Sequence, residues 1–267
     1  MSAGKRLYYR YVYPNQKLHY RLLPYALFAK FLLEHLSAFP RQLLTVDLIR
    51  FFVCLPRYVF RSLLGGNRTS DSTTGVSTHT IRHNIRGMAE LSAPRSHVLI
   101  RPLMSVDAVK RHVADIKILS IGPRTEGEIF NLVGYGFRRK NIVGLDLVSY
   151  SPYIKVGNMH QMPFDDHSFD VVICGWVLGY SDDKPQAVRE ILRVVKPGGT
   201  VAVGVAFSTL DDLEHRTGGL PGSAQQVDDL ATMEELFRDG ADFTYFRHDG
   251  SNPPVNGSGI ITIFRAR

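Results

Sequence analysis

The sequence predicts an α/β protein, a doubly wound and mostly parallel sheet preceded by a helical N-terminal extension. Three observations predict it. Short apolar strands alternate with helical stretches from Ile116 to Phe207. The first of these strands, Ile118-Leu119-Ser120-Ile121, runs straight into a glycine turn and a helix start. The second, Asn141 to Asp146, ends on a carboxylate. In such sheets ligands sit outside the carboxyl ends of the strands, where turns enter helices.

The chain has 267 residues, room for one large domain with an extension. Its two cysteines, Cys54 and Cys174, lie far apart and have no metal-ligand spacing. The expectation is a reduced, cytoplasmic protein with no disulfide framework and no metal. Charge is uneven. Residues 1–66 hold ten Lys/Arg against Glu34 and Asp47, whereas residues 67–267 hold 22 bases and 23 acids. A near-neutral second part argues against DNA or another long nucleic acid as partner, whose phosphates would want a cationic cleft.

Residues 1–66 form the basic, aromatic-rich extension. The first 25 residues contain Tyr8, Tyr9, Tyr11, Tyr13, Tyr20 and Tyr25 among Lys and Arg, with no acid. Leu22–Leu36 and Gln42–Arg61 read as helices, punctuated by Pro24, Pro40 and Pro56. Charges break every apolar run before the roughly 18–20 residues of a spanning helix, and the pattern of a cleaved leader is missing. Two readings fit: a helical cap on the domain with Lys and Arg reaching to water, or a helix lying on an anionic membrane surface, peripheral at its inner face. Residues 67–80, rich in Gly, Ser, Thr and Asn, read as a flexible linker.

The domain proper is assigned to residues 81–267, its core to 105–267. Ile81–Leu91 and Ser105–Val113 read as helical, separated by the stretch Ser96–Pro102; His83, His97 and Arg101 are substrate-contact candidates there. Gly122 permits close backbone approach. Thr125-x-x-Glu128 matches a capping box, so a helix starts near Glu126 and offers free N–H groups to an anion. Ile129, Phe130, Leu132 and Val133 give it a buried stripe. Asp146, 24 positions after Gly122, can accept both hydroxyls of a ribose. Asp182, Asp183 and Pro185 mark a further helix start, with a stripe at Val188, Ile191, Leu192 and Val195.

Gly157-Asn158-Met159-His160-Gln161-Met162-Pro163-Phe164, continuing to Ser168-Phe169-Asp170, and the turn Lys196-Pro197-Gly198-Gly199 carry a resemblance. With Gly122 and Asp146 they resemble the class I S-adenosylmethionine-dependent methyltransferases, the methyltransferase type 11 group in particular. The resemblance implies a Rossmann-like sheet with an antiparallel C-terminal strand, formed here by Phe243–His248 and Gly259–Phe264. It implies S-adenosyl-L-methionine as cofactor, held by Gly122, Arg124, Glu126, Asp146, Leu147, Asn158, Met159, Gly175 and Trp176. Asn158 falls where a side chain bonds the adenine amine, and Met159 where its backbone and apolar body flank the ring. Trp176 lends an aromatic face to the sulfonium or packs in the core. The first loop departs from the family: Ser120 stands in the place of its acid, and Arg124 and Glu126 where later glycines usually stand. The departure fits an arginine-assisted carboxylate site or a loop that has lost the cofactor, and the intact downstream motifs favour the former.

The reaction implied is direct displacement, an acceptor O, N or C taking the methyl, with positioning supplying much of the rate. Candidates for a base are His215, His160 and Tyr180. The acceptor class is a small molecule, a glycan or a lipid-linked compound. Residues 207–227 are expected to form a substrate-covering loop or a broken helix, and Thr232-x-x-Glu235 caps a short helix ending near Gly240. Asn252-Pro253-Pro254 lies in the terminal hairpin loop, not after the fourth strand, so it is no amino-methyltransferase motif. Two rivals are a nicotinamide dehydrogenase, which should show Gly-x-Gly-x-x-Gly at Gly122, and a methyltransferase-like scaffold without turnover.

Overall fold

A computed structural model describes residues 25, 27–30, 40–71, 85, 87–207, 229–249 and 258–267. The chain forms two compact units, residues 1–42 and 43–267. Of the first, residues 25, 27–30 and 40–42 are helical. All that follows concerns the second.

Its centre is a seven-stranded sheet. We label the strands β1 (Ile118–Ile121), β2 (Ile142–Asp146), β3 (Ile154–Val156), β4 (Phe169–Gly175), β5 (Val195–Ala206), β6 (Ala241–His248) and β7 (Gly259–Ala266). Their order is β3-β2-β1-β4-β5-β7-β6. The first five run parallel, and β7 enters antiparallel between β5 and β6. The helices are α1 (Asp47–Gly65), α2 (Ser96–Leu103), α3 (Asp107–His112), α4 (Glu126–Gly134), α5 (Lys184–Val194) and α6 (Leu230–Phe237). Among the described residues no helix is long and apolar enough to cross a membrane.

Strand periodicity splits the core in two. Ile118 of β1 and Val171 and Ile173 of β4 join Leu99, Ile100, Val109, Ile129 and Leu132 from α2, α3 and α4 on one face. Leu119, Ile121, Val172 and Cys174 join Val188, Ile191, Met233 and Phe237 from α5 and α6 on the other. Burial on both faces is why β1 and β4 are continuous apolar runs. Burial also pushes the Cys54 and Cys174 thiols up to about 12, which leaves both unreactive at neutral pH.

Several expectations are corrected. The boundary expected at residue 66 falls at 42/43, because α1 is built into the sheet unit. Of the expected linker, Arg68 and Thr69 pair antiparallel with Ser149 and Val148; residues 72–80 lie outside the described residues. Ser96–Pro102 is not a connection but most of α2, with Pro102 in its last turn, where it removes a single helix bond. The cap of α6 is Asp229, whose Oδ1 accepts from the Thr232 amide at 2.7 Å, so Thr232 is inside the helix. His83, the loop at residues 208–228 and Asn252 lie outside the described residues.

Candidate active site

The carboxyl ends of β1, β2 and β4 frame two neighbouring cavities. Gly122 and Val177 line both. Gly122 has φ +73°, and a Cβ added to it would lie 2.0 Å from Val177 Cγ1. Only glycine meets both the conformation and the contact. The position ends β1 and lets Val177 close down on the turn.

The first cavity is lined by Asp146, Leu147, Asn158, Met159 and Tyr180 with Ile121, Leu145 and Gly157. Asp146 is buried at the end of β2. Its Oδ2 accepts from the Arg124 amide at 2.9 Å and its Oδ1 from the Val148 amide at 3.4 Å. Burial raises its pKa, and those backbone donors oppose the rise. Two main-chain donors thus fix the carboxylate where the cavity opens. Asn158 is buried too, and its Oδ1 accepts from the His160 amide at 3.0 Å and faces His160 Nδ1 at 2.7 Å.

That pairing corrects the role considered for His160. Its Nε2 lies 2.6 Å from Ser181 Oγ, so both ring nitrogens are engaged, and burial lowers its pKa. It does not line either cavity; it is a neutral strut that orients Asn158. Tyr180 does reach the wall of the first cavity. His215 lies outside the described residues. Among the substrate-contact candidates, His97 faces Asp47 at 3.1 Å and Tyr135 at 3.2 Å on the side of α1, and Arg101 donates to Tyr135 at 3.3 Å. Neither lines a cavity.

The second cavity gathers Arg124, Glu128, Gly175 and Trp176 with Glu90 and Arg95. Arg124 has φ +50° and Trp176 φ +65°, left-handed conformations that side chains rarely adopt and that concentrate at functional sites. The face of Trp176 meets a cation already in the chain, the Arg95 guanidinium at 4.9 Å. Its Nε1 is buried and has no hydrogen-bond partner among the described residues. An orphaned buried donor at a cavity wall is the kind of group a ligand satisfies.

Glu128, expected only as half of a capping box, also lines this cavity. Thr125 does cap α4, its Oγ1 accepting from the Gly127 amide at 3.3 Å. Glu128 does not close the box; it accepts from Ser120 Oγ, on β1. Burial raises its carboxyl to about 7. The overlooked signal was its spacing, four positions before Leu132 on the buried stripe, beside a lone serine in an apolar strand.

Glu126 is corrected in the opposite direction. It is fully buried but outside both cavities, ion-paired with Arg57 of α1, near Arg61 at 3.8 Å, and hydrogen-bonded by Ser151 Oγ at 2.6 Å. The expected free N–H groups of α4 are also occupied, the Glu126 amide by Tyr150 Oη at 3.2 Å and the Gly127 amide by Thr125. An anion at this turn would rely on Arg124 instead. Among the described residues no three His, Cys, Asp or Glu side chains gather as metal ligands.

Comparison with known proteins agrees with this geometry. Residues 124–203 match the methyltransferase domain family. A demethylmenaquinone methyltransferase of Bacillus cytotoxicus is 37% identical over 71 residues, which is 27% of this chain and 28% of the relative. A ubiquinone/menaquinone biosynthesis C-methyltransferase of Idiomarina loihiensis is 46% identical over 43 residues, 16% of this chain and 17% of the relative. The chain thus spans less than a third of the length of these relatives. Among solved structures, the trans-methyltransferase CalH in complex with SAH is similar in fold, with TM-score 0.50 and 17% identity over 63% of this chain and 55% of that one. Residues 124–203 are thus similar to the methyltransferase domain family, and the seven-stranded sheet is similar in fold to a solved methyltransferase.

Proposed function

We propose that this protein transfers the methyl group of S-adenosylmethionine to a small-molecule acceptor, with the nucleoside half of the cofactor in the first cavity and its amino-acid half in the second. One observation carries the reading: the buried Asp146 carboxylate, held by two backbone amides, opens onto a cavity shared with Gly122, Asn158 and Met159. A carboxylate so placed suits the two hydroxyls of an unphosphorylated ribose.

The residues present fit the group. Leu147 and Met159 offer apolar walls to a purine, and Asn158 a polar edge. In the second cavity Arg124 and Glu128 bring opposite charges to one space, which suits an α-carboxylate and an α-ammonium. When bound, S-adenosylmethionine supplies a methyl on a cationic sulfur, open to in-line attack. The chain's share is orientation and exclusion of water by Val177 and Trp176. Tyr180, among the described residues the one base candidate at a cavity wall, is proposed to meet the acceptor's polar group.

The acceptor is proposed by class. The relatives named for demethylmenaquinone favour a quinone-type compound within the small-molecule class over a glycan. The near-neutral charge of residues 67–267 supports the same choice over nucleic acid; methylation of bulk tRNA or rRNA by the purified protein would overturn it.

Calorimetric titration tests the cofactor assignment. S-adenosylmethionine and its demethylated product should bind and NAD should not, and Asp146→Ala should weaken binding by about tenfold to a hundredfold. Binding of NAD alone would restore the dehydrogenase reading. Binding of none would favour a scaffold without turnover.

A further inference from the structure

Helix α1 is amphipathic the wrong way round for a surface helix. Its cations face inward. Arg50 is fully buried, donating to Ser92 O and Leu44 O, each at 2.6 Å, and pairing with Asp47. Arg57 pairs with buried Glu126 and lies 5.2 Å over the rings of Phe130 and Tyr153. Tyr58 packs on Tyr150, with ring centroids 4.9 Å apart, and Cys54 is buried between these turns.

The outward face is apolar. Leu48, Phe52, Val59, Phe60, Leu63 and Leu64 are 45–80% exposed. They recur at i, i+4, i+11, i+12, i+15 and i+16, and exposed Pro56 fills the position between. This is one stripe along the helix, about 24 Å long at 1.5 Å per residue. No charged residue interrupts it, because Arg50, Arg57 and Arg61 of the same helix point elsewhere. Of its arginines, Arg50 is fully buried, and Arg57 and Arg61 turn toward buried Glu126 while staying partly exposed. A continuous exposed apolar surface of this kind marks an interaction site.

Charge selects the occupant. Residues 1–42, which lead into the stripe, carry seven Lys/Arg and one acid, Glu34. A second copy of the chain would bring two such basic segments together. An anionic bilayer supplies what both features need, a negative headgroup layer over an apolar interior. We infer that the outward stripe of α1 docks on an anionic membrane surface, seated by its apolar side chains and steered by the basic residues that precede it. The inference uses α1 and its flank alone and is independent of the methyl-transfer reading.

Co-sedimentation of the full chain with vesicles tests it. Vesicles of phosphatidylcholine containing about a third phosphatidylserine should retain the protein, and pure phosphatidylcholine should retain far less. Added salt should weaken retention by screening the basic flank. The double variant Phe60→Gln/Leu63→Gln should bind anionic vesicles about tenfold more weakly or worse, with its urea unfolding midpoint unchanged. Three outcomes would overturn the inference. One is no retention on anionic vesicles. Another is equal retention of the variant, which would leave the basic residues alone responsible. The third is a lowered unfolding midpoint without loss of vesicle binding, which would mean that another part of the chain covers the stripe.

Discussion

Glu126 and Glu128 stand two residues apart in the first turn of α4, both are buried, and they face different neighbours. Glu126 turns toward α1 and is neutralised by Arg57, with Arg61 and Ser151 in support. Glu128 turns toward β1 and the second cavity, where Ser120 is its hydrogen-bond donor and burial raises its carboxyl to about 7. One carboxylate joins a helix to the domain, and the other holds a proton near neutrality at a cavity wall. About 200° of helix rotation between positions i and i+2 separates an acid paired with a neighbouring helix from one at a cavity wall.

The largest effect should come from the structural side. Arg57→Met leaves the Glu126 carboxylate buried with weaker compensation, and removing one partner of such a pair is strongly destabilising. Urea denaturation should show a loss of about 3 kcal/mol, at the low end for a buried pair because Arg61 and Ser151 remain. Affinity for S-adenosylmethionine should be unchanged in the protein that stays folded. Lost affinity with unchanged stability would place Glu126 in the cofactor site after all.

The functional side should show itself in pH dependence. An unfolded glutamate titrates near 4.5, whereas Glu128 in the folded chain holds its proton up to about 7. Below 4.5 the carboxyl is protonated in both states. Between 4.5 and 7 the unfolded chain has released its proton and the folded chain has not. Stability therefore falls as pH rises through this window, by about 1.4 kcal/mol per unit at its steepest, and the loss is complete above 7. Glu128→Gln removes the titration, so the variant should gain about 3 kcal/mol over the parent at pH 8 and little at pH 4. If the ionised form meets the cofactor's ammonium, parental affinity should also drop as pH falls below 7, and the variant's should not. Identical pH profiles of the two proteins would remove Glu128 from the site.

The contrast also marks how far the sequence could be read. Gly122 and Asp146 were legible because each ends a strand, and strand ends in a doubly wound sheet are fixed relative to the ligand crevice. The place of Asn158 at the wall of the first cavity was legible from the Gly157–Phe164 segment. Glu126 and Glu128 were exchanged for a physical reason. Which side of a helix a residue faces depends on what packs there, and the partner of Glu126 is Arg57, 69 positions earlier. His160 was misread in the same way, since Ser181, on a separate loop, engages its second nitrogen. Pro102 looked like a break, but it stands in the final turn of α2, where it forfeits one helix hydrogen bond and little helix follows it. Locally determined features were readable, and those set by a distant partner were not.

Ser120→Ala gives the smallest effect and the sharpest view of the contrast. Ser120 stands inside β1 at the place where the resembling family carries an acid, and here its hydroxyl serves the acid of the next helix. That hydrogen bond stabilises the ionised carboxylate and works against the desolvation that raises its pKa. Without it, the pH midpoint of both stability and cofactor affinity should move up by about half a unit to one unit, the worth of one buried hydrogen bond. The Arg57–Glu126 pair lies on the opposite side of α4 and should not respond, so the stability loss caused by Arg57→Met should be the same with or without Ser120. An unmoved midpoint in Ser120→Ala, with normal folding, would mean that Glu128 takes its proton equilibrium from the cavity alone and that β1 supplies only the floor beneath it.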